Sequence, residues 1–265
     1  MSILKKALGI GMHTVSYIIS SEKIPKEFDG FKIVHLSDFH GEPKKGMVER
    51  IKTENPDVIF MTGDMVDDKE PYKVFLKLLE VLLKIAPVYM ISGNHDSLRA
   101  DYNRFKDECK KLGAIYIEDS GVLIKRKTDE IMLYGIEDSA FRVPELLNKK
   151  IEDSLKKLND YDGYKILLFH RANKLVLVLD KGFDLILSGH MHGGQIRVAG
   201  LGGILSPKSG FADSGKIVFP KFSGGRYSFD SGEVIVNCGM GNPIMLPRFG
   251  NPTEIVLITL KTNNM

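Results

Sequence analysis

Hydrophobic and polar positions alternate along the chain in blocks that predict strands followed by helices. From residue 31 onward, short apolar runs of strand length precede longer segments whose apolar residues recur every three or four positions. The helix predicted after the second run has its apolar positions at Val74, Leu78, Val81, Leu82 and Ile85. This alternation is typical of an α/β domain with a parallel sheet.

Five of the predicted strands end in polar residues. These strands cover residues 31–37, 57–62, 87–92, 164–169 and 183–188, and further helices are predicted at 44–54, 99–112 and 144–158. Because parallel strands align their carboxyl ends at one edge of a sheet, we expect one site across these strand ends. Runs at 114–118, 122–126 and 131–136 have the short breaks of hairpins. Those at 217–219, 233–237 and 254–260 predict a second, antiparallel sheet.

Length and composition favour a single globular domain. The 265 residues can bury one substantial core, and 43% hydrophobic with 27% charged residues is ordinary globular composition. We therefore expect one domain over residues 31–265. It is preceded by an N-terminal segment, residues 1–30, that forms an edge strand or a surface helix. The net charge of +3 is too small to indicate a nucleic-acid partner.

Cysteine usage and the N-terminal segment bear on localisation. Cys109 and Cys238 lie far apart and lack the spacing of a metal site, which favours a reducing compartment, so we expect a cytoplasmic protein. Residues 1–20 combine lysines with a mildly apolar stretch, but polar residues interrupt it and no small-residue cleavage pattern follows. We therefore do not interpret it as a signal peptide. Peripheral contact of this segment with a membrane is an alternative.

The stretch Gly189 to Gln195, which reads Gly-His-Met-His-Gly-Gly-Gln, carries the clearest chemical signal. Histidine is the commonest metal ligand because neutral imidazole offers a lone pair near neutral pH, and flanking glycines allow a tight turn. Taken alone, this pattern is equally compatible with a polar turn, so the other strand ends decide its meaning. The candidate metal ligands at the strand ends are Asp38, His40, Asp64, Asn94, His170, His190 and His192.

Seven candidate ligands exceed the needs of one ion. A single catalytic zinc takes three protein ligands, whereas a two-metal site needs two sets and a shared carboxylate. Mixed oxygen and imidazole ligands without thiolate suit Mn, Fe, Zn or Co better than Ca or Mg, and we favour Mn. Five of the seven histidines of the chain belong to these motifs, whereas His13 and His35 have ordinary structural explanations.

The order of these motifs resembles that of the calcineurin-like metallophosphoesterases. The five motifs are Asp38-Phe39-His40, Gly63-Asp64-Met65-Val66-Asp67, Gly93-Asn94-His95-Asp96, His170 and Gly189-His190-Met191-His192. The resemblance implies two facing mixed β-sheets flanked by helices, with two divalent metal ions at the carboxyl ends of the strands. It further implies that one metal is held by Asp38, His40 and His192, and the other by Asn94, His170 and His190. In this family pattern Asp64 bridges the two metals, His95 is the acid near the leaving group, and Asp67 orients His95.

The activity implied by the resemblance is hydrolysis of a phosphoester by a hydroxide that bridges the metals. Protein phosphatases of the superfamily carry Arg after the last Asp of the second motif, and Asp68-Lys69 departs from that pattern. Residues 192–197, 237–241 and 247–248 resemble instead bacterial phosphodiesterases related to UDP-2,3-diacylglucosamine pyrophosphatase. The sequence lacks the usual N-terminal hydrophobic anchor of that branch, and Ala172 replaces a common proline.

We therefore expect a small-molecule or lipid-linked phosphoester as substrate, and we favour a nucleotide-sugar-lipid pyrophosphate. Alternatives are a cyclic-nucleotide phosphodiesterase, a phosphomonoesterase, or a metal-stabilised binding module without turnover. Arg99, Arg197 and Arg248 are candidates for binding the phosphate of the substrate. The apolar loop 199–205 either contacts an acyl chain or bilayer or folds back onto the core.

Overall fold

The computed structural model describes residues 11–67, 71–139, 143–198, 200–205, 219–242 and 247–263. The first ten residues, Asp68-Lys69, Ala199 and residues 217–218 therefore lie outside the described part. The strands are β1 (Met12–Ser21), β2 (Lys32–Leu36), β3 (Val58–Met61), β4 (Val88–Met90), β5 (Ile115–Tyr116), β6 (Ser120–Arg126), β7 (Asp129–Ile136), β8 (Lys165–Arg171), β9 (Leu185–Gly189), β10 (Arg197–Val198), β11 (Gly202–Gly203), β12 (Gly225–Phe229), β13 (Gly232–Val236) and β14 (Thr253–Thr262). The α-helices are α1 (Met47–Glu54), α2 (Lys73–Leu83), α3 (Asn94–Ser97), α4 (Tyr102–Leu112) and α5 (Pro144–Leu155).

Two six-stranded mixed sheets form the framework. The first sheet has the order β1-β14-β2-β3-β4-β5, and the second has the order β12-β13-β9-β8-β7-β6. In the first sheet β2 to β5 run parallel and β14 lies antiparallel to β2. In the second sheet β7, β8, β9 and β13 run parallel, with β6 and β12 antiparallel at the edges.

Side-chain alternation along the strands explains why the two sheets face each other. In β3, Val58 and Phe60 join the core between the sheets, whereas Ile59 and Met61 pack on the helix side. In β8, Leu168 joins the same central core and Phe169 the outer one. Strands buried on both faces read as continuous apolar runs, which is why the sequence has little alternation there. The expected fold of two facing mixed sheets flanked by helices is confirmed.

Two details of the predicted topology were wrong. The five strands that carry the polar motifs do not form one parallel sheet, because β2, β3 and β4 belong to the first sheet and β8 and β9 to the second. The last predicted strand does not join 233–237 in an antiparallel sheet. Instead β14 lies inside the first sheet, and β13 pairs in parallel with β9.

The position of β14 follows from its apolar residues. Ile258 packs in the core between the sheets and Ile255 on the helix side, so both faces of the strand are buried, as in a central strand. The predicted run at 114–118 also differs, because only Ile115–Tyr116 is a strand and it extends the first sheet beside β4. The N-terminal strand β1 forms the outer edge of that sheet, in parallel with β14. Among the described residues, no helix is both long and apolar enough to cross a membrane.

Candidate metal centre

The carboxyl ends of five strands from both sheets meet at one place. The loop after β2 is tied to the loop after β3 by the Asp38 N–H, which donates to the Gly63 carbonyl at 3.0 Å. The second sheet joins them through the His190 N–H, which donates to both carboxylate oxygens of Asp38 at 3.0 and 3.1 Å. Residues from distant parts of the sequence are thereby brought into one buried cluster.

The backbone at these strand ends is unusual. Positive φ angles occur at five of the seven candidate ligands: Asp38 (50°), His40 (52°), Asp64 (55°), His190 (72°) and His192 (47°). Residues other than glycine rarely adopt this left-handed region, and each such residue costs about 1–3 kcal/mol unless its surroundings enforce it. The left-handed backbone turns the chain sharply at the end of each strand and directs the side chain into the cluster.

One group of possible ligands consists of Asp38, His40 and His192, all buried. The Nε2 atoms of His40 and His192 lie 3.3 Å apart, and Asp38 Oδ1 lies 3.4 Å from His192 Nε2. The Ser37 hydroxyl donates to Asp38 Oδ2 at 2.6 Å and fixes the carboxylate. Two imidazole nitrogens and a carboxylate oxygen therefore converge on one point.

A second group consists of Asp64, His170 and His190, again buried. His170 Nε2 lies 3.2 Å from Asp64 Oδ2 and 3.2 Å from the Asn94 Oδ1 amide oxygen. His170 Nδ1 lies 2.7 Å from the Thr62 carbonyl oxygen. Because a carbonyl oxygen only accepts, Nδ1 carries the hydrogen. Nε2 then faces the oxygen atoms of Asp64 and Asn94, and this arrangement is common for metal-binding histidines.

The electrostatics of the two groups favour a bound cation. Burial and the positive charge of Arg171 hold the pKa of His190 well below its usual range, and burial and His40 do the same for His192. Both rings are thus neutral and keep a lone pair. Burial alone would lower the pKa of His170, but the charge of Asp64 and its hydrogen bond raise it to about 10. The negative charge of Asp64 therefore favours a positively charged group, either a proton on His170 or a metal ion.

The residues present fit two divalent metal ions. The buried Nε2 of His190 has no hydrogen-bond partner among the described residues, so this nitrogen is open to a metal ion. The donors are carboxylate, amide and imidazole, the set that Mn, Fe, Zn and Co accept. The described residues therefore contain two adjacent, fully buried groups able to hold metal, and Asp64 belongs to the second.

His95 and Asp67 lie at the open side of the cluster. The side chain of His95 is 30% exposed, whereas the candidate ligands are almost fully buried. The His95 backbone N–H donates to Asp64 Oδ1 at 2.8 Å, so its position is tied to that carboxylate. Asp67 Oδ1 lies 2.7 Å from His40 Nδ1 and 3.5 Å from His95 Nδ1. Asp67 is thus nearer to the ligand His40 than to His95.

Two supporting residues were not identified from the sequence. The buried carboxylate of Asp96 accepts the N–H groups of Asp64 at 2.7 Å, Gly93 at 2.9 Å and Val66 at 3.1 Å. It therefore joins the loops after β3 and β4, and its place three residues after the N-cap Gly93, where a carboxylate can accept the N-cap N–H, is the signal that could have indicated it. Asn251 Nδ2 donates to the His192 carbonyl at 2.6 Å, and no local sequence signal indicates this contact.

The three arginines predicted to bind phosphate are all held by the protein backbone. Arg99 donates to the Asp67 carbonyl, and Arg197 Nη1 to the Gly193 carbonyl at 3.1 Å. Arg248 donates to the carbonyls of Cys238 and Gly241 at 2.7 and 2.6 Å. Arg248 Nη2 also lies 3.2 Å from His192 Nδ1. These guanidinium groups shape the loops around the cluster.

Comparisons with known proteins agree with this geometry. The calcineurin-like phosphoesterase family model matches residues 31–194. The chain is 30% identical over 263 residues to the uncharacterized metallophosphoesterase YkuE of Bacillus subtilis (strain 168), covering 96% of this chain and 87% of YkuE. It is 26% identical over 190 residues to the phosphodiesterase YaeI of Escherichia coli (strain K12), covering 67% of this chain and 66% of YaeI.

A solved structure supports the fold alone. The protein TT1561 of Thermus thermophilus superposes with a TM-score of 0.51 at 12% identity, covering 80% of this chain and 90% of TT1561. The family model spans more than half of the chain, and the five motifs that it includes lie together at the strand ends. The chain therefore belongs to the calcineurin-like phosphoesterases, metal-dependent hydrolases that act on phosphoester bonds.

Proposed function

We propose that this protein is a phosphodiesterase or pyrophosphohydrolase that uses two divalent metal ions, preferably manganese. The observation that carries the proposal is the presence of two adjacent buried ligand groups, linked by the hydrogen bond from His190 to Asp38. When bound, two such ions lower the pKa of a water molecule and neutralise charge on the phosphate. Asp38, His40 and His192 would hold one ion, Asn94, His170 and His190 would hold the other, and Asp64 would be the carboxylate that both share.

His95 acts as the general acid at the leaving group. It is the only histidine of the motifs whose side chain is substantially exposed, so its ring can reach a substrate above the cluster. The hydrogen bond from its backbone N–H to Asp64 fixes the backbone of His95 relative to that carboxylate. Protonation of the departing oxygen by a positioned imidazole typically contributes about 10² to 10⁴ in rate.

Asp67 positions two imidazoles at once. Its Oδ1 lies within hydrogen-bond distance of His40 Nδ1 and 3.5 Å from His95 Nδ1. A carboxylate on the second nitrogen of a metal-binding histidine fixes the tautomer that leaves Nε2 free for the metal. A small rotation of His95 towards Asp67 would give the acid the same support.

A lipid-linked substrate, such as a nucleotide-sugar-lipid pyrophosphate, is supported by an apolar rim beside the metal turn. We define the apolar rim as Val198, Leu201, Phe219 and Phe249, which are 41–65% exposed. Backbone hydrogen bonds join Phe249 to both Gln195 and Arg197, directly after His192. Exposed apolar residues grouped beside an active site suit a ligand with an acyl chain. Of the predicted loop, Leu201 is exposed, whereas Ile204 and Leu205 are half-buried.

The test is metal content combined with hydrolysis of model esters. We expect about two metal ions per chain by mass spectrometry. We also expect hydrolysis of bis-p-nitrophenyl phosphate with Mn that stops after chelation and exceeds hydrolysis of p-nitrophenyl phosphate. Asp64→Ala is expected to lose both metals. Faster hydrolysis of the monoester favours a phosphomonoesterase, and bound metal without hydrolysis of either ester favours a binding module.

Binding of a lipid chain by the apolar rim is tested by comparing a lipid substrate with one that has no acyl chain. A variant with Leu201→Asn and Phe249→Asn is expected to lower kcat/KM for UDP-2,3-diacylglucosamine more than kcat/KM for bis-p-nitrophenyl phosphate. The reason is that only the first substrate has acyl chains for the apolar rim. Equal changes for both substrates contradict a lipid-binding rim. Faster hydrolysis of a cyclic nucleotide than of the lipid would favour a cyclic-nucleotide phosphodiesterase.

A further inference from the structure

Arg171 is a buried cation at the metal centre that the proposed chemistry does not use. It follows the candidate ligand His170 at the end of β8 and pairs across the sheet with Gly189, the residue before His190. Only 5% of its surface is exposed. A buried guanidinium requires both a counter-charge and hydrogen-bond acceptors for its five N–H groups.

Asp138 satisfies only one side of this guanidinium. Arg171 Nε donates to both oxygens of Asp138, at 3.0 and 2.9 Å. Within the part of the chain that the structure describes, Nη1 and Nη2 have no hydrogen-bond partner. The carboxylate therefore fixes the guanidinium in place and leaves free the two terminal nitrogens, which bind phosphate oxygens well in a bidentate manner.

The Arg171–Asp138 pair is linked to the second ligand group from two sides, near Asn94 and near His170 and His190. The Ser92 hydroxyl, two residues before Asn94, donates to the Asp138 carbonyl at 3.2 Å. On the other side, Arg171 shares β8 with His170 and is close enough to lower the pKa of His190. Arg171 is therefore linked to the second ligand group without being one of its members.

A second cation increases the positive potential at this position. Lys174 is 2% exposed, and its Nζ donates to Asn148 Oδ1 at 2.6 Å. Burial, followed by the positive charge of Arg171, lowers the pKa of Lys174 to about 8. Lys174 therefore adds positive potential beside Arg171, and the charge of Glu145 acts in the opposite sense on it.

We propose that Arg171 binds a second negatively charged phosphoryl group of the substrate, next to the phosphate held at the metal ligands. This inference rests on the proposed function and specifies it, because a substrate with two linked phosphates would use both the metals and Arg171. Asp138 is then a positioning residue, which orients the guanidinium through Nε and does not touch the substrate.

The experiment compares a nucleoside monophosphate with a non-hydrolysable diphosphate. Metal-loaded protein is titrated by calorimetry with AMP and with adenosine 5′-(α,β-methylene)diphosphate, and the ratio of the two dissociation constants is measured. We expect the wild type to prefer the diphosphate. Arg171→Gln is expected to reduce that preference about tenfold, because it loses a charge-assisted bidentate contact. Arg171→Lys keeps the positive charge but loses the bidentate guanidinium, so we expect its preference for the diphosphate to lie between those of the wild type and Arg171→Gln.

Arg226 offers a matched control, because it also pairs with a carboxylate, Glu233, at 2.8 and 2.9 Å, but on the exposed hairpin β12–β13. Arg226→Gln is expected to keep the wild-type ratio. The inference is overturned if the wild type binds both nucleotides equally, or if Arg171→Gln keeps the wild-type preference. Should Arg171→Gln fail to fold or lose its metals, Arg171→Lys and Asp138→Asn decide, and an unchanged preference in both refutes the inference.

The same protein separates this inference from the proposed function. A wild type that shows no chelator-sensitive hydrolysis of bis-p-nitrophenyl phosphate contradicts the proposed function. A wild type that hydrolyses this diester, together with an Arg171→Gln variant of unaltered preference, contradicts only the role of Arg171.

Discussion

Replacement of Asp96 tests whether the two central metal-binding loops depend on one buried carboxylate. Asp96 is completely buried and accepts three backbone N–H groups, from Asp64, Val66 and Gly93. Asp96→Ala removes the acceptor of all three. Each buried donor left without a partner costs about 1–3 kcal/mol, so we expect a loss of about 3–9 kcal/mol in the free energy of unfolding. That is a large part of the roughly 5–15 kcal/mol by which a domain is stable.

Asp96→Asn keeps the shape of the side chain but removes its negative charge and one of its two acceptor oxygens. The amide keeps one oxygen, which can still accept from Asp64 and Gly93, but its NH₂ group then faces the Val66 N–H. One donor is lost instead of three, so we expect a destabilisation of about 1–3 kcal/mol. Because Asp96 supports residues that hold metal, both variants are also expected to bind metal about 10- to 100-fold more weakly.

The assay is urea unfolding followed by circular dichroism, in chelator and with saturating manganese, alongside metal titration. Asp153→Ala is the control, because the side chain of this helix residue is 46% exposed and, within the described ranges, pairs only with Lys156, at 2.9 Å. It is expected to change the free energy of unfolding by less than about 1 kcal/mol. If Asp96→Ala in chelator were as stable as Asp153→Ala, the three hydrogen bonds would not be what holds these loops together.

Three further predictions address the acid, the first ligand group and pH. His95→Ala is expected to keep both metals but lose about 10² to 10⁴ in kcat for bis-p-nitrophenyl phosphate; wild-type turnover would contradict its role. Gly189→Ala places a Cβ atom against Ser37 Oγ and Asp38 Oδ2, so lower metal content is expected by mass spectrometry, and full content would refute the clash. Burial lowers the pKa of His35 to about 3, so only the unfolded chain binds this proton between about pH 6.5 and 3, and stability falls with falling pH. The free energy of unfolding, measured by urea denaturation, should fall between pH 7 and pH 5 by about 2 kcal/mol less in His35→Gln than in the wild type. The same fall in both proteins would exclude this effect.

The candidate ligands could be located in the sequence because each lies within a few residues of the end of a strand. Asp38, Asp64 and His190 need only the end of a strand and a sharp turn to reach the cluster, and both features are local. The family and the fold class were therefore accessible from short motifs in a fixed order. The roles of the individual site residues stay predictions until the variants are measured.

Contacts between distant segments could not be predicted in the same way. Arg171 depends on Asp138, 33 residues earlier, and Asp96 depends on the backbone of Asp64, 32 residues earlier. The pattern of β14 indicates that both faces are buried, but a continuous apolar run is the same in either sheet, so it does not determine the neighbours of the strand. Pairing of strands is a property of the whole chain.

The pairing of β1 with β14 has a consequence for synthesis of the protein. Met12 lies beside Thr253 and Ser21 beside Thr262, so each pair is separated by 241 residues of sequence. At about 5–20 residues per second, roughly 10–50 s pass on the ribosome between the emergence of the two strands. During this interval Ile19, 1% exposed in the finished fold, lacks its partner strand. A nascent chain shorter than residue 253 therefore presents β1 as an unpaired strand to which a chaperone can bind.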